Sequence, residues 1–251
     1  MVCPALLRKA PPCDPDSSPA KYRPRTLQNG ISEVLDKLYP LLCEETKEVY
    51  KDLGHQLGWR FLTCRRQNLA VDTRVALITL NPGGNYDPPE HPRESCEYGS
   101  AYLHESWNGI EAGAAPLQVQ VQRLFEAVNQ RLGHCASGAE LLEQSLSAQF
   151  IPFRSPSLRD LVRRRDSERF AVGLWTRLLH HIRPNLILCI DARTSRHLTH
   201  ILESKHQRAA SSTTHPVGWG RVTATVTHVG PTTIVRRVGQ RDERKGFCCW
   251  V

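Results

Sequence analysis

Apolar positions along this chain follow two periods, one of strands and one of helices. Val75-Ala76-Leu77-Ile78-Thr79-Leu80 and Leu186-Ile187-Leu188-Cys189-Ile190 are short, nearly unbroken apolar runs, the pattern of strands buried on both faces. Ala148 to Phe153 reads as another strand. Val222, Ala224 and Val226 alternate with threonines and give a fourth, ending at His228. Between these runs the spacing is helical. Ser32 is placed as the N-cap of a helix carrying Val34, Leu35, Leu38, Leu41 and Leu42, with Pro40 kinking or restarting it. A second helical stretch runs to about Leu53, where Gly54 and Gly58 break it. Leu117, Val121, Leu124, Phe125, Val128 and Leu132 mark an amphipathic helix, and Phe170, Leu174, Leu178 and Ile182 another, ended by Pro184. Thr194 to about His206 is helical, with Leu198, Ile201 and Leu202 inward. Residues 85–116 form a long loop rich in Pro, Gly and aromatics, a length that points to function or disorder.

Strand–helix alternation predicts an α/β fold, a central and mostly parallel four-stranded sheet flanked by helices on both faces. Residues 1–29 form a Pro-rich tail, 30–69 a helical region packed on the core, 70–240 the α/β domain and 241–251 a C-terminal tail. Sheets of this kind bind ligands where parallel strands end. The segments after the four strands are Asn81-Pro82-Gly83-Gly84, Phe153-Arg154-Ser155, Asp191-Ala192-Arg193 and His228-Val229-Gly230-Pro231, and they are expected on one rim.

Charge adds a partner. Residues 154–251 carry 18 basic and 7 acidic residues, a net of +11, while residues 1–153 carry 15 and 18, a net of −3. Of the 33 cationic residues only seven are Lys, and Arg is the side chain that grips phosphate with two parallel hydrogen bonds. That asymmetry is the footprint of a nucleic-acid binder, or else of a merely basic protein. No run of 18 apolar residues exists, so no membrane span is expected, and the short Ala5-Leu6-Leu7 run does not read as a secretory signal. Nine cysteines without a regular framework suit a reduced, cytoplasmic setting.

The chemistry is in the strand ends. Asn81-Pro82-Gly83-Gly84 lacks the pattern of a P-loop or dinucleotide fingerprint. It is either a plain turn or an amide that holds a water through its oxygen, with glycines that let a substrate approach the backbone. His228 is a rim residue or a donor to an oxygen that gains charge as a bond breaks. Gln149 suits pairing with a base edge, and Phe150 and Phe153 either stack on a base or fill the core. Arg193-Thr194-Ser195-Arg196 opens a helix, where free N–H groups and cations favour a phosphate. Arg163-Arg164-Arg165 and Arg236-Arg237 read first as solvated charge. No metal-binding spacing is present.

In their order and spacing these motifs resemble the uracil-DNA glycosylase superfamily over roughly residues 70–235. Thr79-Leu80-Asn81-Pro82-Gly83 resembles the Gly-[Ile/Leu]-Asn-Pro-Gly loop of its mismatch-specific uracil/thymine branch. Gln149 to Arg154 is similar to the strand that carries a base-reading Asn. Arg183 to Cys189 is similar to the stretch before a phosphate-contacting helix, and Thr227 to Pro231 sits where the family has His-Pro-Ser-Pro. The resemblance implies a monofunctional DNA glycosylase that flips a base and hydrolyses its bond to deoxyribose. Asn81 and His228 would be catalytic. Pro82, Gly83, Gly84, Tyr86, Gln149, Phe150 and Phe153 would surround the base. Arg154, Ser155, Arg193, Ser195, Arg196, Gly230 and Arg236 would hold the DNA, single- or double-stranded. Asp87 or Glu105 would supply a carboxylate if one is needed.

Three departures refine this. Thr79 replaces Gly, Gln149 replaces the uracil-reading Asn, and Gly83 stands where classical members have a Tyr that blocks thymine's methyl. The last two imply a pyrimidine with a bulky carbon-5 substituent, as in modified viral DNA, and hence a role in defence against viruses. The alternatives are a uracil/thymine mismatch repair enzyme, a catalytically silent DNA-binding module of the same fold, or a nucleoside hydrolase. No cofactor, iron–sulfur cluster or membrane is implied, and the protein is expected to act as a monomer.

Overall fold

Among the described residues, six strands form one mixed sheet: β1 Val75–Thr79, β2 Leu146–Gln149, β3 Leu186–Cys189, β4 Ser211–Pro216, β5 Val222–Val229 and β6 Thr232–Gly239. The computed structural model describes residues 25–70, 72–84, 98–133, 135–216 and 222–239. The strand order is β2-β1-β3-β6-β5-β4. β2, β1, β3 and β6 run parallel, and β5 and β4 are added antiparallel. The helices are α1 Arg25–Asp52, α2 Ala101–His104, α3 Pro116–Leu132, α4 Gly138–Gln144, α5 Arg164–His181 and α6 Ala192–His206. None of them is long and apolar enough to cross a membrane.

Strand alternation divides the core into two layers. Ala76, Ile78, Leu146, Ala148 and Ile187 face one way and pack with Leu35, Tyr39 and Leu42 of α1, Leu174, Trp175 and Leu178 of α5, and Leu198 and Leu202 of α6. Val75, Leu77 and Leu188 face the other way, onto Val121, Phe125 and Val128 of α3 and Leu141 and Leu142 of α4. Cover on both faces is why the central strands are apolar without alternation. Full burial of a side chain such as Phe125 stabilises the fold by about 2–3 kcal/mol. The connections from β1 and from β3 lie on opposite faces, so the crevice between the ends of β1 and β3 is the switch point of the sheet.

Several expectations are corrected. The sheet has six strands, not four, and the segment ending at His228 is not a parallel strand. Val229 pairs with Thr232, so Gly230-Pro231 is a two-residue hairpin turn. Such a connection joins only antiparallel strands, and Gly at its first position, with φ +56°, fits a type II′ turn. The fourth parallel strand is instead β6, whose paired arginines read as solvated charge. Pro40 does not break its helix: α1 is continuous and starts at Arg25, before the placed N-cap Ser32. Leu35 and Tyr39 on one side of the proline and Leu42 on the other are buried in one core, which offsets the lost backbone bond. β2 stops at Gln149. Phe150 and Ile151 still donate to the Thr79 and Leu80 carbonyls, but Pro152 cannot donate.

The outer edge of β2 is covered by residues 58–63. Gln149 N–H donates to the Phe61 carbonyl and Thr63 N–H to that of Ser147. This antiparallel cover removes an exposed strand edge and brings Arg60 beside the end of β2.

Candidate active site at the carboxyl edge of the sheet

Three of the four strand-end segments converge: those beginning at Asn81, at Phe153 and at Asp191 come after β1, β2 and β3, three adjacent parallel strands. At their centre, Asn81 Nδ2 donates to Ser155 Oγ at 2.9 Å, to the Pro82 carbonyl at 3.0 Å and more weakly to the Phe153 carbonyl at 3.3 Å. Ser155 donates its own proton to the Ser157 carbonyl at 2.8 Å, so towards Asn81 it can only accept. Three acceptors around one end of the amide fix its orientation. Its Oδ1 has no partner among the described residues and is not sealed from solvent. The arrangement can hold a water by that oxygen.

Beside it lies a second fixed amide. Gln149 and Thr79 are register partners on β2 and β1, and Thr79 Oγ1 donates to Gln149 Oε1 at 2.6 Å. Here the nitrogen is the end left over: Nε2 has no partner among the described residues and is not sealed off. Behind Thr79 stands the buried Tyr102 phenol, pushed up to about 12 by burial. Next to it, Arg60 Nη1 and Nη2 both reach the Glu105 carboxylate, which also accepts from Trp107 Nε1 at 3.1 Å. Glu105 therefore braces the site and is not free to act as a base. Asp87 and Tyr86 lie outside the described residues.

Pro82 is buried, and its carbonyl accepts from Ser155 N–H at 3.1 Å. Gly83 and Gly84 are exposed. A Cβ built on either meets nothing within 4 Å among the described residues, although φ +92° at Gly84 disfavours any side chain there. Among the described residues nothing covers the strand end above this loop.

His228 is elsewhere. Val75, Leu186, Thr233 and His228 share one level across the sheet. Asn81 lies six residues beyond that level, ~20 Å along the strands, and three strand spacings to the side. His228 is exposed at the amino edge with Nδ1 3.0 Å from Thr233 Oγ1, so it cannot share a ligand with Asn81. Gly230 belongs to the same hairpin, pressed against the His206 ring. Neither can serve a site at Asn81.

The aromatic expectations also change. Phe150 is fully buried and stacks on His197 at 5.2 Å and Trp175 at 6.5 Å. Phe153, equally buried, stacks on His55 at 4.3 Å and Phe170 at 5.6 Å. Their faces are taken by the core, and a base cannot stack on them. His55 donates through Nε2 to Ser167 Oγ at 3.0 Å, whose own proton goes to the Val162 carbonyl, and burial lowers its pKa to about 4.

Of the cations expected on DNA, Arg154 is buried and donates to the Gly83 carbonyl at 3.0 Å, so it braces the loop. Ser155 is buried under Asn81. At α6 the Asp191 carboxylate accepts from the N–H groups of Arg193 and Thr194, at 2.9 and 2.8 Å. An anion is thus already built into that helix start, and Arg193 reaches Glu168 at 3.3 Å while Ser195 is buried. Arg196 remains exposed, and half-buried Arg236 lies towards the carboxyl edge, opposite Cys189. The larger basic feature lies where α5 begins. Arg159, Arg163, Arg164 and Arg165, with Asp166, line a shallow concavity of about 510 Å³. The segment from Ser155 to α5 carries it, so it borders the Asn81 network. A second cavity, of about 400 Å³ and bordered by Arg74, Asn68 and Gln144, lies at the opposite edge. Among the described residues no three metal-ligating side chains cluster.

Tyr102 and Arg60 escaped sequence reasoning, and Thr79 was visible only as a departure from the family loop, without its bond to Gln149. The pairing of Arg60 with Glu105, 45 residues apart, leaves no trace in the sequence. The sequence matches no family model and no curated protein.

Proposed function

We propose that this chain is a monofunctional DNA glycosylase that hydrolyses the N-glycosidic bond of a carbon-5-substituted pyrimidine. The observation that carries this reading is the pair of half-engaged amides at the ends of β1 and β2, one offering an oxygen and the other an N–H₂. Asn81 Oδ1 accepts a proton of a water and aims the water oxygen at the sugar C1′. As the water oxygen bonds to C1′, the C1′–N1 bond breaks and its electron pair leaves with the base, and the proton that the attacking water gives up ends on the departed base. Gln149 Nε2 donates to the base edge, where negative charge grows. Neither amide is a strong base, so the rate derives from positioning and fixed dipoles. The open space at Gly83 and Gly84 supports room for a substituent, and the arginines of the concavity support a polyanionic partner. A role in defence against viruses with modified DNA follows from that substituent.

The placement of His228 favours a second reading, a DNA-binding module of this fold without catalysis, because it removes the expected donor. One experiment separates them: duplexes carrying individual modified pyrimidines are incubated with the protein and scored for abasic sites and released base. Release that disappears in Asn81→Ala, with duplex affinity kept, supports the glycosylase. Tight binding with no release from any substrate leaves the binding module.

A further inference from the structure

Two of the departures from the family pattern are bonded to each other. Thr79 and Gln149 face one another across β1 and β2 and are joined by the 2.6 Å hydrogen bond, a length typical of an O–H donor to a carbonyl oxygen and short for an N–H donor. Both residues are at most 9% exposed, so water does not compete for the bond. The hydroxyl therefore holds the amide with its oxygen against β1 and leaves its two N–H groups without a partner among the described residues. An amide free to turn offers a donor and an acceptor side by side, the complement of the uracil or thymine edge, which presents O4 and N3–H. An amide that turns out only N–H groups suits two adjacent acceptors. A cytosine-type ring has them, at unprotonated N3 and O2, whereas the N3–H of a uracil-type ring would meet a donor with a donor.

The geometry points to Thr79 as a specificity-determining residue that sets Gln149 to take a cytosine-type rather than a uracil-type base. This deepens the glycosylase reading and rests on it. It assigns the ring class, which neither the open glycines nor the basic surface addresses.

The test uses two substituted bases that differ only in that edge. Matched duplexes carry 5-hydroxymethylcytosine or 5-hydroxymethyluracil, and base release is measured for wild type, Thr79→Ser and Thr79→Val. Wild type and Thr79→Ser are expected to release the cytosine-type base at least tenfold faster. In Thr79→Val, which keeps the shape and removes the donor, the ratio is expected to shrink about tenfold. Equal rates in wild type, a preference for the uracil type, or an unchanged ratio in Thr79→Val would overturn the assignment. Should wild type release neither of these two bases, the glycosylase reading is decided separately on the wider set of modified duplexes, and the same duplexes are compared by affinity. A cytosine-type preference lost in Thr79→Val then still supports the assignment, and equal affinities overturn it. Gln149→Glu, which presents acceptors only, guards against misfolding of the valine variant and is expected to lose the cytosine-type preference in either readout. Its retention counts against the assignment.

Discussion

At the carboxyl edge of the sheet, Asn81 and Gln149 each give one end of an amide to the protein and keep the other end open, and buried neighbours decide which end that is. At the amino edge His228 stands exposed with a threonine beside it. The side chains are equally polar, yet Asn81 and Gln149 have a second layer that His228 lacks among the described residues: Ser155 and Ser157 behind Asn81, Thr79 and Tyr102 behind Gln149, Arg60 and Glu105 beside them. A polar group becomes a site when its rotamer and donor–acceptor sense are fixed from behind. Chemical suitability of the residue alone, which His228 has in full, does not supply that.

The largest expected effect breaks the comparison directly. Asn81→Ala should lower base release by about a hundred- to a thousandfold, the cost of losing one preorganised group, and leave duplex affinity within about threefold. His228→Ala should change release by less than about twofold. A large loss in the histidine variant would show that the edges are not divided as described.

The support behind the carboxyl edge titrates. Buried His55, stacked on Phe153 just before Arg154 and Ser155, has a folded-state pKa of about 4 against 6.5 for an exposed imidazole. As pH falls through this range the unfolded chain takes up the proton first. Stability is therefore full above about pH 6.5 and falls towards pH 4, by up to about 3 kcal/mol. Urea denaturation at pH 7 and pH 5 measures this, and His55→Gln should flatten the dependence. A wild-type midpoint that does not move between the two pH values contradicts the assignment of this histidine.

A smaller effect tests the second layer. Ser155→Ala removes the acceptor at 2.9 Å from Asn81 Nδ2 and leaves the two carbonyls. The amide then turns more freely, and kcat should fall about tenfold with KM nearly unchanged, the signature of lost positioning. A rise in KM at constant kcat would place Ser155 on the substrate instead.

How much of this was legible beforehand depended on the range of the interaction. β1 and β3 could be read because burial on both faces leaves an unbroken apolar run. Asn81 could be read because a Gly-rich turn after such a run is local. The hairpin at Gly230 is also local, since the Gly-Pro pair reverses the strand, but a polar strand-end residue such as His228 looks the same before a hairpin turn and before a crossover. Gln149 was visible as a residue type. Its donor sense was not, since that depends on Thr79, 70 positions away in sequence. Phe150 and Phe153 show the opposite failure: aromatic chemistry suited to a base was used to fill the core, because α5 and α6 pack on that face.

The smallest effect concerns the long-range field of the two edges. Arg164 and Arg165 line the concavity where α5 leaves the carboxyl edge, while exposed Arg183 and Arg208 follow the ends of α5 and α6 at the amino edge. All four are surface guanidinium groups, so net charge changes equally when any one is removed, and only position differs. If the duplex runs over the carboxyl edge, each arginine there that meets a phosphate releases about one counterion on binding. Arg164→Ala and Arg165→Ala should each weaken duplex binding about threefold and lower the slope of log affinity against log salt by about 1, whereas Arg183→Ala and Arg208→Ala should leave the slope unchanged. Equal slopes for all four variants would mean that the protein meets DNA through its overall charge, and the edge bearing Asn81 would lose its claim to face the duplex.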